Sequence, residues 1–487
     1  MTPQKYNRKN ILNHGLSLIV TVIFMSISVL FIIGLTQWAV LHAKLVRQSQ
    51  DREFALQVAE AGIEYYRWHL AHAPTDFQDG QATPASSYTH EYYDKDGNHI
   101  GKYILYITAP PVGSTLVTIV SEGRIDKDPN IFRKIKVQMG IPSWAKYSFA
   151  ANDVMRFGAG TEVFGEIRSN EGIRFDGIAH NLVSSAKDKY TDPDSGHAPG
   201  QEFGVHTHVS PVDPNPPAPV PSRPDVFMAG RSFPVGGLDF TGISADLAQL
   251  KIKAQSGGLY FAGSGALGYN IVLKTNGTFD LYQITSLVVP PSGCSAEQSG
   301  WGTWSIQNQT LLGNYSFPSN GIVFLEDNVW VEGQINNGRI TIASGRFPES
   351  TSTNTSITIN NNLTYTNFDG KDVIGLIAQQ DFNVGLKSLD NLTIAAAIVA
   401  KNGRVGRFYY PSQCGAEYIR NSLTLFGAIT TNKRYGFAYG TTAGTTAGTT
   451  GYLLRTITYD ANLLYGPPPS WPLTADQYTT LLWVETY

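Results

Sequence analysis

The chain has 487 residues, with 36 lysines and arginines against 39 acids, and a formal charge of −3 argues against a general nucleic-acid binder, which needs a basic face. Charged residues make up only 15% while Gly numbers 48, Tyr 25 and Phe 23, a balance that suits an exported β-rich protein better than a cytosolic helical enzyme. The two cysteines, Cys294 and Cys414, show no CxxC or Cys/His zinc spacing; they stand as separate buried thiols or, in an exported domain, as one disulfide.

Residues 16–40, LSLIVTVIFMSISVLFIIGLTQWAV, carry no charge and are long enough to cross a bilayer as a helix. Lys5, Arg8 and Lys9 precede them, which places the N-terminus in the cytoplasm and the remainder outside. The apolar run exceeds a signal-peptide core and no A-x-A-like site follows, so it reads as an anchor, with Trp38 near its outer end as an interfacial residue. The pattern then continues without proline until Pro74. Leu56, Ala59, Ile63, Tyr66 and Leu70 recur at alternating three- and four-residue spacing, with Gln57, Glu60, Glu64 and Arg67 opposite them. This predicts one helix from Leu16 to about His72, roughly 85 Å at 1.5 Å per residue. The alternative is two helices parted at the membrane surface.

A basic leader ending in Gly15, an apolar helix and the run REFALQVAEAGIEYY resemble the N-terminus of type IV pilin-like proteins. The closest subgroup is the PilX-like minor pilins, with similarity also to the large minor pseudopilins of type II secretion. Ala59, Glu60, Ala61 and Gly62 match the subgroup's A-E-A-G signature. The resemblance implies that a prepilin peptidase cuts between Gly15 and Leu16, and that the helix partners other pilins or pseudopilins after leaving the inner membrane. Two positions depart from the pattern. Leu16 stands where Phe or Met is commoner, and Val20 stands where major pilins carry a glutamate, since a lone carboxylate in lipid is costly. The departure points to a minor subunit of a tip or initiating complex.

Residues 78–93 read as a polar loop, followed by strands over 101–108, 116–125 and 132–139. In the last, Ile135, Val137 and Met139 alternate with Lys134, Lys136 and Gln138, the half-buried strand pattern, and 110–113 and 126–130 supply turns. A one-faced helix followed by an antiparallel meander makes an α+β unit, and the resemblance implies the same pilin-like head.

Beyond Pro142 a phrase occurs twice about 18 residues apart, NDVMRF from Asn152 and NEGIRF from Asn170. Short apolar strands with polar corners return later, and Gly321, Gly338, Val373 and Asn391 sit at multiples of roughly 17–18 residues. Strands this short bury a face only when stacked, so the expectation is a mainly β domain built as a parallel β-helix or solenoid, with a β-sandwich as the alternative. The expected layout is a leader over 1–15, a long helix over 16–73 with its transmembrane part at 16–41, and a meander over 74–141. A solenoid-like domain follows over 142–440 with a proline-rich insertion at 212–225, then a low-complexity loop at 441–451 and a cap at 452–487 docked on the solenoid's end.

Three constellations bear on chemistry. His206 and His208, with His197 and Asp213 nearby, are spaced to share a divalent ion on one strand face, or else belong to a polar loop; no metal or other cofactor is expected. Glu326, Asp327, Asp381 and Asp390 fall near corners, and some β-helix polysaccharide enzymes hold their acids on one outer face, but no pair has a diagnostic spacing and acids at turns are ordinary solvated corners. Trp301, Trp304, Trp330, Tyr409, Tyr410, Tyr435, Phe437 and Tyr439 read first as core and second as a platform for a surface glycan. The expected function is a non-enzymatic minor pilin or pseudopilin, adhesive at a filament tip. A membrane-anchored polysaccharide enzyme and a permanently anchored envelope scaffold are the alternatives.

Overall fold

The computed structural model describes residues 9–128, 130–194, 201–440, 450–474 and 477–486. Most of the expected leader (1–8), most of the low-complexity segment (441–449) and His197 lie outside these described residues. The chain forms two compact units, one of Met1–Thr108, Val117–Gln138 and Thr480–Tyr487, the other of Ala109–Leu116 and Met139–Thr479.

In the first unit a single helix, α1 (Lys9–His72), runs for 64 residues, about 95 Å. It begins earlier than expected, so the Gly15–Leu16 bond lies inside the helix. Its interior is free of proline, and it stops two residues before Pro74, whose ring disfavours the helical conformation at Ala73. Every side chain over 16–47 is exposed. Further on one stripe turns inward: Ala55, Val58, Ala59, Ile63, Tyr66 and Leu70 are buried, while Gln57, Glu60, Glu64 and Arg67 remain exposed. The stripe is turned slightly from the expected one, with Leu56 only half-buried.

That stripe packs on a sheet of β1 (Tyr88–Tyr93), β2 (His99–Thr108), β3 (Val117–Ile125) and β4 (Phe132–Gly140), in that spatial order, with Thr479–Thr486 added beside β4. β1 and β2, and β2 and β3, pair antiparallel, with Tyr103 opposite Gly123. β1 corrects the expected loop over 78–93. Its inward positions are Tyr88, His90 and Tyr92, whose polar tips hide the alternation that aliphatic residues would have displayed. The buried faces of Leu105, Val117, Ile119, Ile135 and Val137 complete the core, each such side chain contributing about 1.5–3 kcal/mol.

Glu122 is the buried charge of this sheet, held by Arg124 at 2.6 Å and Lys134 at 2.9 Å. Burial pushes its carboxyl up, but the bonds to Lys134 and Arg124 outweigh burial and leave it below the usual glutamate range. Its ion pairs therefore stabilise the fold above the unfolded value near pH 4.5, and that contribution is lost as pH falls through the lower folded value. In Glu122→Gln, stability at pH 7 is expected to fall by about 1–3 kcal/mol, with a flatter dependence below pH 4.5, read by denaturation followed with circular dichroism.

The second unit is mainly β, with parallel and antiparallel pairs. One ladder joins Leu259–Phe261, Ile322–Leu325, Arg339–Ser344, Val373–Ala378, Asn391–Ala400 and Ile419–Thr431 in parallel. It continues from Ile419–Thr431 through Phe149–Ala151, Ile167–Ser169 and Val183–Ser185. The repeated phrases lie side by side, Met155 opposite Ile173 and Phe157 opposite Phe175. The later spacing is not constant. Ile322 faces Thr341, Arg339 faces Val373 and Asn391 faces Ser422, because corners of different length separate the strands.

Both faces of the central strands are covered. In Val373–Ala378, Ile374, Leu376 and Ala378 point into the main core, while Val373 and Ile377 join a second cluster with Leu247, Leu250 and Ala254 of a helix, α2 (Gly242–Gly257), that the sequence reading passed over. Burial on both faces makes these strands near-continuous apolar runs. Thr278–Leu287 and Ile306–Ser316 form an antiparallel hairpin beside Tyr269–Leu273. Thr450–Tyr459 inserts in the ladders between Ile419–Thr431 and Thr161–Phe164, and the following segment lies along the sheet's outer face. There Pro469 O accepts from Thr341 Oγ1 at 2.6 Å, and Trp471 packs in the second cluster.

Candidate functional site

In the first unit the distinctive surface is α1 itself. Leu16–His72 is long and apolar enough to cross a membrane, and its most apolar window, of mean hydropathy 2.8, is wholly exposed. Trp38 is exposed within it. The A-E-A-G run has a local physical meaning. Ala59 is fully buried, Glu60 faces outward, and Gly62 sits where a Cβ would press on Ser121 Oγ and lie 2.8 Å from the Tyr103 ring. Across the interface, a Cβ on Gly123 would collide with the backbone of Ala55 and Ala59. The small residues let helix and sheet backbones approach closely.

In the second unit the acids are engaged at corners. Glu326 holds Lys251 and accepts from Tyr260 Oη at 2.8 Å; Asp327 accepts from Ser264 at 2.7 Å and from Arg346 at 2.8 Å. Asp381 accepts from the Arg404 N–H at 2.8 Å, and burial pushes its carboxyl up. Asp390 accepts from the Asn421 N–H at 2.9 Å. One cleft of about 410 Å³ is lined by Arg156, Arg404, Arg434, Arg455 and Tyr439, and Asp194, the lining carboxylate among the described residues, is paired with Arg156 and Arg434.

Of the aromatics, Trp330, Tyr410, Tyr435 and Phe437 are buried and Tyr409 is exposed, with Trp301, Trp304 and Tyr439 half-buried. Cys294 and Cys414 form a disulfide packed with Leu386, Phe408 and Tyr410.

The two histidines lie in a different setting. Val205–His206 stacks in parallel on Ile173–Phe175, placing His206 opposite Arg174. Lys189–Tyr190 pairs with Glu202–Phe203 alongside. The His206 ring is fully buried, 5.1 Å centroid to centroid from that of His208. Asp213, expected near them, instead holds Arg231 and Arg223 and accepts from the Thr207 N–H at 3.1 Å. Asp192 takes the place beside the rings, its Oδ2 3.5 Å from His206 Nε2. One ligand atom each of Asp192, His206 and His208 lies within 4.8 Å of the others.

Partners set the protonation of this cluster. Burial opposes ionisation of Asp192, but the His206 ring, the Asp194 N–H and Arg174 outweigh it, holding the carboxyl well below the usual range. Burial, then the Arg174 charge, pushes His208 down and favours its neutral ring. Arg174 Nε donates to Asp176 at 2.7 Å, and its Nη1 lies 3.4 Å from Asp192 Oδ2. The sequence reading missed Asp192, because an acid inside YTDPD looks like any turn residue until the fold brings it to the histidines.

No protein-family model and no curated protein matches the chain. Among solved structures it is similar to the competence-associated pilin ComZ from Thermus thermophilus, at 13% identity over 90% of this chain and 98% of that one, with a TM-score of 0.32. At that score the likeness carries no weight for fold or function.

Proposed function

We propose that this chain is a minor pilin- or pseudopilin-like structural subunit, non-enzymatic, that takes part in the assembly or tip of a type IV pilus or a type II secretion pseudopilus. The observation that carries the reading is α1, a continuous helix whose apolar first half is exposed on every side while its second half is sealed onto β2 and β3. Apolar surface on this scale needs a cover. Lipid supplies it while residues 16–41 anchor the chain in the inner membrane, and the helices of neighbouring pilins supply it after assembly. A prepilin peptidase acting between Gly15 and Leu16 would release the helix for that exchange. Val20, lacking the major-pilin carboxylate, favours a specialised position in the filament.

We read the second unit as a parallel β-helix presented outside the cytoplasm. The parallel ladders support the first part of this reading, and the Cys294–Cys414 disulfide supports the second, since such bonds persist in oxidising compartments. Adhesion to a surface glycan through the exposed Tyr409 and its neighbours is the finer role proposed for this unit.

Mass spectrometry of the protein from cells with active prepilin peptidase is expected to find Leu16 as the first residue and the protein in sheared filaments. An intact Gly15–Leu16 bond there would sink the pilin reading. A cleaved chain that never leaves the membrane fraction would favour the anchored scaffold.

A further inference from the structure

We propose that Asp192, His206 and His208 form a structural site for a divalent transition-metal ion, zinc first, that pins Asp192 to the Val205–His206 strand and the ladder beneath it. Two neutral imidazoles and one carboxylate are a zinc ligand set, whereas calcium takes six to eight oxygens. Ligand atoms of a tetrahedral zinc centre stand about 3.3–3.4 Å apart at bond lengths of 2.0–2.1 Å. His206 Nε2 and Asp192 Oδ2 are already 3.5 Å apart, and the three ligand atoms, all within 4.8 Å of one another, would close by at most about 1.5 Å to reach the tetrahedral separation.

The second observation is His206 itself. Its side chain has no exposed surface, and its Nε2, turned toward Asp192, makes no hydrogen bond among the described residues. A buried nitrogen whose facing carboxylate oxygen stands at 3.5 Å lacks a full hydrogen bond, a deficit that a metal bond would remove. The surroundings supply the orienting contacts that metal ligands use. Tyr190 Oη lies 3.4 Å from His206 Nδ1, the Asp194 N–H donates to Asp192 Oδ1 at 2.9 Å, and the His208 N–H donates to Asp176 Oδ1 at 2.8 Å. Each contact takes an atom other than the one facing the site. Arg174 Nε donates to Asp176 at 2.7 Å and its Nη1 donates to Asp192 Oδ2 at 3.4 Å, so a bound ion would share that carboxylate oxygen with the longer of the two bonds. Asp192 and His206 are buried and His208 is partly exposed, which leaves the fourth zinc position to a water on the His208 side.

The test uses the untagged full chain in detergent, stripped with chelator, exposed to zinc and dialysed, with metal counted by plasma mass spectrometry. One zinc per chain is expected, with calcium and magnesium not retained, and a zinc-dependent rise in the melting midpoint that chelator reverses. His206→Gln is expected to lose the zinc, and Asp192→Asn to weaken it at least tenfold. His180→Gln, a change at a histidine outside the cluster, should keep one zinc per chain. Wild-type protein that retains no stoichiometric zinc and whose midpoint does not move would overturn the site without reference to any variant's folding. Retention of one zinc by a folded His206→Gln chain would overturn it equally.

Discussion

Replacing Gly123 by valine is expected to unfold the packing of α1 on its sheet, with a loss of about 3 kcal/mol or more. A side chain there has no rotamer that avoids the clash, because its first carbon already overlaps the carbonyl oxygen of Ala55 and the amide nitrogen of Ala59. Both obstacles are backbone atoms of a helix that cannot yield locally. Gly62→Ala meets a softer obstacle, since Ser121 Oγ and the Tyr103 ring are side-chain groups that can turn aside, and it should cost less, about 1–3 kcal/mol. Gly34→Ala is the control within the same helix: nothing lies within 4 Å of its added carbon, and alanine is the better helix former. Denaturation of the three variants in detergent, followed by circular dichroism, should rank them Gly123, Gly62, Gly34 from most to least damaging. Equal midpoints for Gly123→Val and Gly34→Ala would mean that the close approach of helix and sheet is wrong.

Removing the disulfide by Cys294→Ser with Cys414→Ser, or by reduction, should lower the stability of the second unit by about 4–5 kcal/mol. The bond closes a loop with a sequence separation of 120, and the chain entropy it removes from the unfolded state grows with the logarithm of loop length. Locally the bond ties the excursion around Cys294 to the short turn Ser412–Cys414. The flank at 298–305 is tied further, the Trp301 indole N–H donating to Tyr409 O at 3.0 Å, the Tyr409 N–H to Gln298 at 2.8 Å, Tyr410 Oη to Gly302 O at 2.8 Å and the Lys387 N–H to Ser305 Oγ at 2.9 Å, so the disulfide is the main tie of residues 289–297. Reduced protein should therefore be nicked between 289 and 297 at protease concentrations that leave the oxidised protein whole. Identical denaturation curves and cleavage maps with and without reductant would remove the disulfide from any stabilising role.

The candidate metal cluster shows how far local sequence reading reaches. His206 and His208 were visible as a pair because an i, i+2 spacing has a meaning within one strand. Asp213 was the natural third member by proximity in the chain, yet Arg223 and Arg231 hold it. Asp192 is brought in by the pairing of Lys189–Tyr190 with Glu202–Phe203, a contact between two-residue strands with no periodic signal of their own.

Read alone, the chain establishes a charge-free apolar helix over 16–40, the continuation of that helix with one buried stripe, and an alternating strand pattern after it, because each depends on periodicities of 3.6 and 2 inside one element. It also displays the phrase repeated from Asn152 to Asn170, which the fold sets side by side. Only the tertiary structure decides where the ladders join. Ile429 lies beside Phe149 and Arg455 beside Thr161, pairs separated by roughly three hundred residues that close the late strands onto the early ones. Nothing local selects such partners. The match is made by apolar faces that are each too short to be buried alone, and it places Thr450–Tyr459 within the ladder instead of at its end.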